Sequence, residues 1–380
     1  MRIYSPQMSL TTENVMGGGV FDAMLLRHLS ELGVESIIPL IFRRDHQTAP
    51  GWDVRVLPVY RAFKLGALLT NVVFLAHALW LWAIRGERFD VFRVQDPYYS
   101  GMAALIFRGL TRVPYYCHVH HLEETSGPRR WIERAVARRA DRVYVLSEFA
   151  AAQARETLGV APDRIVSIHP GTTVFDAPED RGSAKNRLGF GDRPVLGFVG
   201  ALVKRKNLPL LLDVLKRVRQ RFPSALLVIC GDDPPGGGLS GDLKAWVQEQ
   251  GLTENVMLTG FVDNARKAEI LRATDVFVFP SLMEGFGMAP VEAMALGVPA
   301  VVSDRGALPE IVEDGRTGYL ADPADPADFA DKTIRLIEDP ALRDRMGSEA
   351  ARRVREKFDW TDAAKKTLRM LEEIGKAATP

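Results

Sequence analysis

The chain has 380 residues, 47% of them hydrophobic, which is enough apolar material for more than one core. Its 49 basic and 48 acidic residues leave a formal charge of +1, excluding the global field that draws proteins to nucleic acid, so no nucleic-acid partner is expected. Two cysteines, Cys117 and Cys230, each inside an apolar run, exclude a disulfide framework and read as buried thiols of a cytoplasmic protein.

From the N-terminus, Arg2 is followed by Ile3-Tyr4-Ser5-Pro6-Gln7, with no apolar segment or cleavage site of a secretory signal, and a strand is expected near Ile3. Met16-Gly17-Gly18-Gly19-Val20 then forms a turn that opens the first helix. Asp22 stands where a Gly-x-Gly-x-x-Gly fingerprint needs its last glycine, and Ile38-Pro39-Leu40-Ile41 ends the second strand without an acidic residue, so a dinucleotide site is not expected. Two readings of the turn stay open: a flexible loop, or one that lets backbone touch a diphosphate.

Strands are expected at 36–40, 91–94, 115–119 and 142–146, with helices between several of them. The stretch 65–84 carries no formal charge and includes Trp80 and Trp82; it is long enough to span a bilayer, but a span would break the strand–helix rhythm, and a buried crossover helix is expected instead. Downstream, Arg129, Arg130, Arg134, Arg138, Arg139 and Arg142 surround Trp131 with only Glu133 and Asp141 opposing. Such a pattern suits an anionic membrane surface about as well as a solvated helix face. His118, His120 and His121 cluster at the end of the strand 115–119, with alternation placing His118 and His120 on one face. A zinc site would need more ligands than Glu123 and Glu124 supply, so these histidines are read as cleft-facing hydrogen-bonding or proton-handling groups, and no metal is expected.

The polar stretch 178–183 separates this half from a cleaner alternation with strands at 195–199, 225–230, 256–258, 276–279 and 300–302. Helices start near Leu208, Leu239, Lys267, Met288 and Leu308, the pattern of a doubly wound α/β domain. Lys204-Arg205-Lys206-Asn207 follows the strand 195–199, at the carboxyl end where open α/β sheets bind ligands. Cations at a helix N-terminus oppose its dipole, so they call for water or an anionic partner, here a diphosphate. Residues 280–294, Pro-Ser-Leu-Met-Glu-Gly-Phe-Gly-Met-Ala-Pro-Val-Glu-Ala-Met, lead from a strand through a glycine turn into a helix, with Glu284 in the turn and Glu292 expected in the first helical turn after Met288. A first-turn glutamate alone commonly just compensates the dipole; with Glu284, Gly285, Phe286 and Gly287 ahead of it, the segment outlines a nucleotide-sugar site. Helical patterns fill 328–338, 341–357 and 361–374. No two aspartates are separated by a single residue, so the Asp-x-Asp device that holds a divalent ion against a sugar diphosphate is missing, as are Walker A, Gly-x-Ser-x-Gly and His-Glu-x-x-His patterns.

Taken together the chain resembles the glycogen-synthase-like retaining glycosyltransferases, family four of the carbohydrate-active classification. The resemblance rests on Gly18-Gly19, Pro114 leading to His120, Val145-Leu146-Ser147-Glu148, Gly200 followed by Arg205-Lys206-Asn207, Gly231-Asp232, Thr259-Gly260-Phe261, the Glu284–Glu292 pair, and Gly306-Ala307-Leu308-Pro309-Glu310. It implies a GT-B fold, an α/β architecture of two Rossmann-like doubly wound domains facing each other across a cleft. Residues 1–178 would form the acceptor domain, 179–192 a linker and 193–357 the donor domain, with helix 360–376 crossing back to the first. By the same resemblance Glu292 would hold the ribose, Glu284 and the backbone of Phe286, Gly287 and Met288 the donor sugar, and Arg205 with Lys206 the diphosphate. Gly18 and Gly19 would join the donor site, and His120 would lie beside the reacting sugar. Many members carry arginine where this chain has Ala201, which shifts the cationic load to Arg205 and Lys206.

The implied activity is metal-independent retaining transfer from a nucleoside diphosphate sugar to an acceptor hydroxyl, in polysaccharide, glycolipid or lipid-linked glycan synthesis. No cofactor is called for, and the protein would be cytoplasmic, peripheral at the inner membrane face. Two alternatives stay open: a silent GT-B-like binding scaffold, which would have no use for buried unpaired charges, and a nucleotide-sugar epimerase or phosphorylase of the same shell.

Overall fold

Apolar strand runs and amphipathic helices alternate along a chain that divides into two compact units: Met1–Gly171 with Trp360–Pro380, and Thr172–Asp359. The computed structural model describes residues 1–8, 10, 17–41, 46–57, 66–119, 127–172, 180–234 and 237–378.

In the first unit β1 (Arg2–Tyr4), α1 (Gly17–Glu31), β2 (Glu35–Leu40) and β3 (Trp52–Val56) are followed by α2 (Ala67–Leu79), which runs on as a π-helical segment, Trp80–Arg85. Next come β4 (Val91–Val94), α3 (Gly101–Thr111), β5 (Tyr115–Val119), α4 (Gly127–Ala137), β6 (Arg142–Val145), α5 (Glu148–Gln153) and β7 (Ile165–Ser167). The strands form one parallel sheet in the order β3-β2-β1-β4-β5-β6-β7. Both faces are covered by helices, which is why the central strands read as continuous apolar runs. Gly17, Gly18 and Gly19 lie in the first turn of α1 and not in a loop ahead of it.

The core of this sheet contains a fully buried ion pair. Arg93 on β4 is fully buried, paired with the equally buried Asp22 of α1, and donates to Ser5 Oγ at 3.0 Å and to His118 Nε2 at 3.1 Å. Because Nε2 accepts, the His118 ring is neutral with its proton on Nδ1, and it stacks on Tyr144 with centroids 4.5 Å apart. His118 is therefore a core histidine and not the cleft-facing group expected from strand alternation. The two cysteines are buried free thiols in different units, and burial pushes them up, Cys117 to about 12 and Cys230 to about 11.

The second unit contains α6 (Arg181–Arg187), β8 (Val195–Val199), α7 (Leu208–Arg221), β9 (Leu226–Cys230), α8 (Ser240–Glu249), β10 (Val256–Gly260), α9 (Asn264–Arg272) and β11 (Val276–Phe279). It continues with α10 (Met288–Ala295), β12 (Ala300–Ser303), α11 (Leu308–Ile311), β13 (Gly318–Ala321), α12 (Pro326–Glu338) and α13 (Pro340–Lys357). Its parallel sheet has the order β10-β9-β8-β11-β12-β13, the doubly wound Rossmann arrangement with its switch point between β8 and β11. There the connections from two adjacent strands leave on opposite faces, and the carboxyl ends open a crevice.

Two boundaries differ from expectation. The cut between units falls at Gly171, ahead of 178, and the presumed linker 179–192 is in its described part mostly helical. Asp180 caps α6 by accepting from Ser183 N–H at 2.9 Å, Ala184 is buried, and Lys185 Nζ reaches Asp275 Oδ2 at 2.5 Å. Polarity there reflects capping and ion pairing, not a loose connection. The last helix, α14 (Trp360–Ala378), packs on α1 in the first unit, with the Trp360 ring against buried Phe21, centroids 5.6 Å apart.

Asp275 ties α6, β8 and α13 together, since it also accepts from Val195 N–H at 2.8 Å and faces Arg343 at 3.6 Å. Asp275→Ala should cost the second unit about 3 kcal/mol by leaving the buried Val195 N–H and the partly buried Lys185 and Arg343 without their common partner. Hydrogen exchange read by mass spectrometry should show faster exchange in β8 and β9 with β4 unchanged; unaltered exchange in β8 would contradict the assignment.

Candidate active site at the switch point of the second unit

The site is assembled by the two loops that diverge at the β8–β11 switch point. After β8, residues Lys204–Lys206 form a 3-10 turn ending at Asn207, which adopts the left-handed conformation before α7. After β11, Ser281 to Gly287 lead into α10. Backbone ties the loops together: Leu282 N–H donates to Arg205 O at 2.7 Å.

Glu284 lies at their junction, buried. Lys206 Nζ at 2.5 Å, Ser281 Oγ at 2.6 Å and Arg205 Nη1 at 2.8 Å all donate to its Oε1. Lys206 is buried too, its ammonium 4.5 Å from the centroid of the Phe279 ring, whereas Arg205 is partly exposed. Burial by itself pushes the Glu284 carboxyl up; the charges of Lys206 and Arg205 and the hydrogen bonds from Lys206 and Ser281 outweigh it and hold the group below the usual glutamate range. Burial, reinforced by Arg205, lowers the Lys206 ammonium against the pull of Glu284.

The glycine-containing segment 306–310 has a structural task here. Gly306 has φ +63°, and a Cβ on it would lie 2.7 Å from Glu284 O and 2.8 Å from Glu284 N. Only glycine lets this turn pass close enough for Ala307 N–H to donate to Glu284 O at 3.0 Å. Likewise Gly287, φ +118°, turns the chain into α10 against Leu308 and Ile311. Behind Ser281, the Ser303 hydroxyl donates to Ser281 O, fixing the loop on β12.

Because Gly287 is the cap, α10 begins at Met288, and Glu292 is its fifth residue rather than part of its first turn. Dipole compensation therefore does not explain it. Glu292 is buried and accepts from Lys267 Nζ on α9 at 2.8 Å. Burial pushes its carboxyl up beyond what Lys267 pulls back. Met288 and Ala289 carry first-turn amides at the positive end of α10, next to Phe286, whose ring packs edge-on against Phe358.

The structure thus brings Arg205, Lys206, Glu284, Phe286, Gly287, Met288 and Glu292 together in one unit, while Gly18 and Gly19 belong to the other. His120, with His121, Glu123 and Glu124, lies outside the described residues. Sequence reasoning missed Lys267 and Ser281. A serine three residues before a loop glutamate was readable as a local hydrogen-bond donor; Lys267, among the polar residues of α9, carried no signal. The buried charges are also not unpaired, as the argument against a scaffold assumed: Glu284 pairs with Arg205 and Lys206, and Glu292 with Lys267.

Two doubly wound parallel-sheet units, with the charged cluster at the switch point of the second, define the class: a GT-B α/β protein. Residues 180–353 match the model of the glycosyl transferases group 1, and residues 17–171 that of the glycosyl transferase 4-like domain. The chain is 31% identical to the phosphatidyl-myo-inositol mannosyltransferase of Mycobacterium leprae, over 77% of this chain and 75% of that protein. It is 28% identical to the D-inositol 3-phosphate glycosyltransferase of Corynebacterium efficiens, over 93% of this chain and 90% of that one. Among solved structures, sucrose-phosphate synthase from Thermosynechococcus elongatus superposes with a TM-score of 0.83 at 21% identity, covering 99% of this chain and 100% of that chain. The Anabaena protein HepE, solved with UDP-glucose, gives 0.79 at 21%, covering 98% and 100%. The chain belongs to the group 1 glycosyltransferase family.

Glu284→Gln tests the charge cluster. Since the folded carboxyl titrates below the ordinary value of 4.5, its stabilisation is complete above that pH and is lost as pH falls through the lower, folded value. At pH 7 the variant should be less stable by about 3–5 kcal/mol, with the gap to wild type closing on acidification below 4.5 in urea titrations. A gap that does not change with pH would contradict the ionised assignment.

Proposed function

We propose that the protein transfers a glycosyl group from a nucleoside diphosphate sugar to an acceptor hydroxyl with retention of anomeric configuration and without a metal. The observation that carries this reading is the buried carboxylate of Glu284 held by Arg205 and Lys206 at the switch point, beside the N-terminus of α10.

In that reaction the bond between the anomeric carbon and the diphosphate oxygen breaks as the carbon gains oxocarbenium character, and negative charge builds on the departing diphosphate. Arg205, Lys206 and the first-turn amides of α10 meet that charge where it develops, the requirement for lowering the barrier rather than merely binding substrate. Glu284 keeps both cations in place before the donor arrives. Its Oε1 serves that purpose, and Oε2 accepts from hydroxyls of the donor sugar. Glu292 accepts from the ribose hydroxyls, and Lys267 steadies it. The acceptor hydroxyl attacks from the leaving-group face, its proton passing to the departing diphosphate oxygen, so no side chain acts as a covalent nucleophile. The group 1 relatives named above for inositol-containing substrates favour acceptors of that chemistry, free or lipid-linked, and the UDP-glucose complex of HepE puts UDP-sugars first among donors.

The test is nucleoside diphosphate release over a donor panel, with and without inositol-type acceptors and with EDTA. Wild type should turn over in EDTA. Lys206→Ala and Glu284→Ala should lose roughly 10²–10³-fold in kcat, the scale of removing a preorganised charge-stabilising donor. Glu292→Ala should act mainly on donor KM. Equal turnover in all variants would refute the site, product without acceptor would indicate an epimerase, and a requirement for phosphate a phosphorylase.

A further inference from the structure

We propose that the face formed by α2 with its π-helical continuation, α3 and α4 docks on the surface of an anionic lipid bilayer. The inference does not depend on the glycosyl-transfer reading. The uncharged stretch expected to be a buried crossover helix is buried on one side only. Leu68, Val72, Ala76, Trp80 and Ile84, spaced four apart, form an exposed apolar stripe about 24 Å long at helical rise, with Leu68 79% and Ile84 74% exposed. The neighbouring helices extend it: Leu110 on α3 is 65% exposed and Trp131 on α4 68%. Single exposed hydrophobic residues need no explanation, but a stripe the length of a helix, with further large apolar side chains exposed on the helices packed in turn beside it, does.

Charge identifies what covers it. On these three helices the only acidic side chain is Glu133, which is buried and bonded by Arg129 at 2.9 Å. Arg85, Arg112, Arg134, Arg138 and Arg139 are exposed around the apolar residues, and the Arg85 guanidinium lies 5.6 Å from the centroid of the Trp80 ring. Just past the π-helical segment Arg85 pairs with Glu87 at 3.3 Å, so the face carries an excess of arginine and not arginine alone. Apolar side chains flanked by tryptophan and surplus arginine suit the boundary between acyl chains and anionic headgroups. The segment Ala67–Arg85 is long and apolar enough to cross a membrane, yet its other side is committed to the protein. Phe74, Ala78 and Leu81 are buried in the core. Asn71 donates to Tyr98 O at 2.9 Å and accepts from Ala103 N–H at 3.0 Å, pinning the helix to α3. It therefore lies along the surface instead of spanning.

Flotation with phosphatidylcholine vesicles and with vesicles also containing phosphatidylglycerol, without any sugar donor, tests this. The full-length protein should float with the anionic vesicles, stay soluble with the neutral ones, and be released by high salt. Leu68→Ser combined with Ile84→Ser, and separately Arg134→Glu combined with Arg138→Glu, should each weaken partition about tenfold or more while the thermal melt stays that of wild type. A wild type that stays soluble with anionic vesicles, or variants that float like it, would overturn the proposal. So would a dimer by sedimentation that the Leu68/Ile84 variant dissolves, which would assign the face to a second copy of the chain. Because no donor is present, neither outcome bears on catalysis.

Discussion

The second unit is organised around a carboxylate that burial alone would neutralise. Taking Glu284 or Lys206 out of water costs several kcal/mol each, and a buried ion left without its partner costs about as much again. The cluster is sustained because three donors converge on one oxygen while Leu282, Ser303 and Ala307 hold the supporting backbone. Its chemistry follows from the same constraint. Lys206, assembled against a protein carboxylate, is already desolvated and aimed when a second anion arrives, and Arg205, partly exposed, is free to move toward it as well.

Sheet topology determines where this is possible. At β8 and β11 the chain reverses its winding, so loops from neighbouring strands part without colliding, and the carboxyl ends lie open. The positions that look permissive in sequence are where backbone comes closest: Gly306 lies against Glu284, and Gly287 turns the chain into α10. Replacing either with a larger residue would move the glutamate or the helix that the proposed donor site uses. The first unit encloses a different network, Arg93 with Asp22, Ser5 and His118, fully inside the sheet; it ties α1 to the central strands.

Central strands were legible in sequence because burial on both faces leaves uninterrupted apolar runs, as at 195–199, 276–279 and 115–119. The strands missed, β3, β7 and β13, are all sheet edges. β3, Trp-Asp-Val-Arg-Val, alternates charge and is half-buried, and β7 is three residues long, as edge strands tend to be. In the site, the residue types at 205, 206, 284 and 292 signalled an anionic, hydroxyl-rich ligand. Lys267 did not, because a lysine that turns inward from a polar helix looks like one that faces water. Arg93 was the opposite case: an arginine inside Val-Phe-Arg-Val had to be paired, and its partner Asp22 sat in the segment read only for its glycines. The one-sided burial of α2 was hidden for the same reason, since composition carries no record of which face a neighbour covers.

The most direct measurement of the central claim is calorimetric binding of UDP against UMP, to wild type and to Lys206→Met. If Arg205 and Lys206 take the terminal phosphate of the diphosphate, wild type should prefer UDP by about tenfold or more, on the scale of one desolvated charge-assisted contact, and the substitution should largely abolish that preference. Equal affinity of wild type for the two nucleotides, or an unchanged preference in the variant, would contradict it.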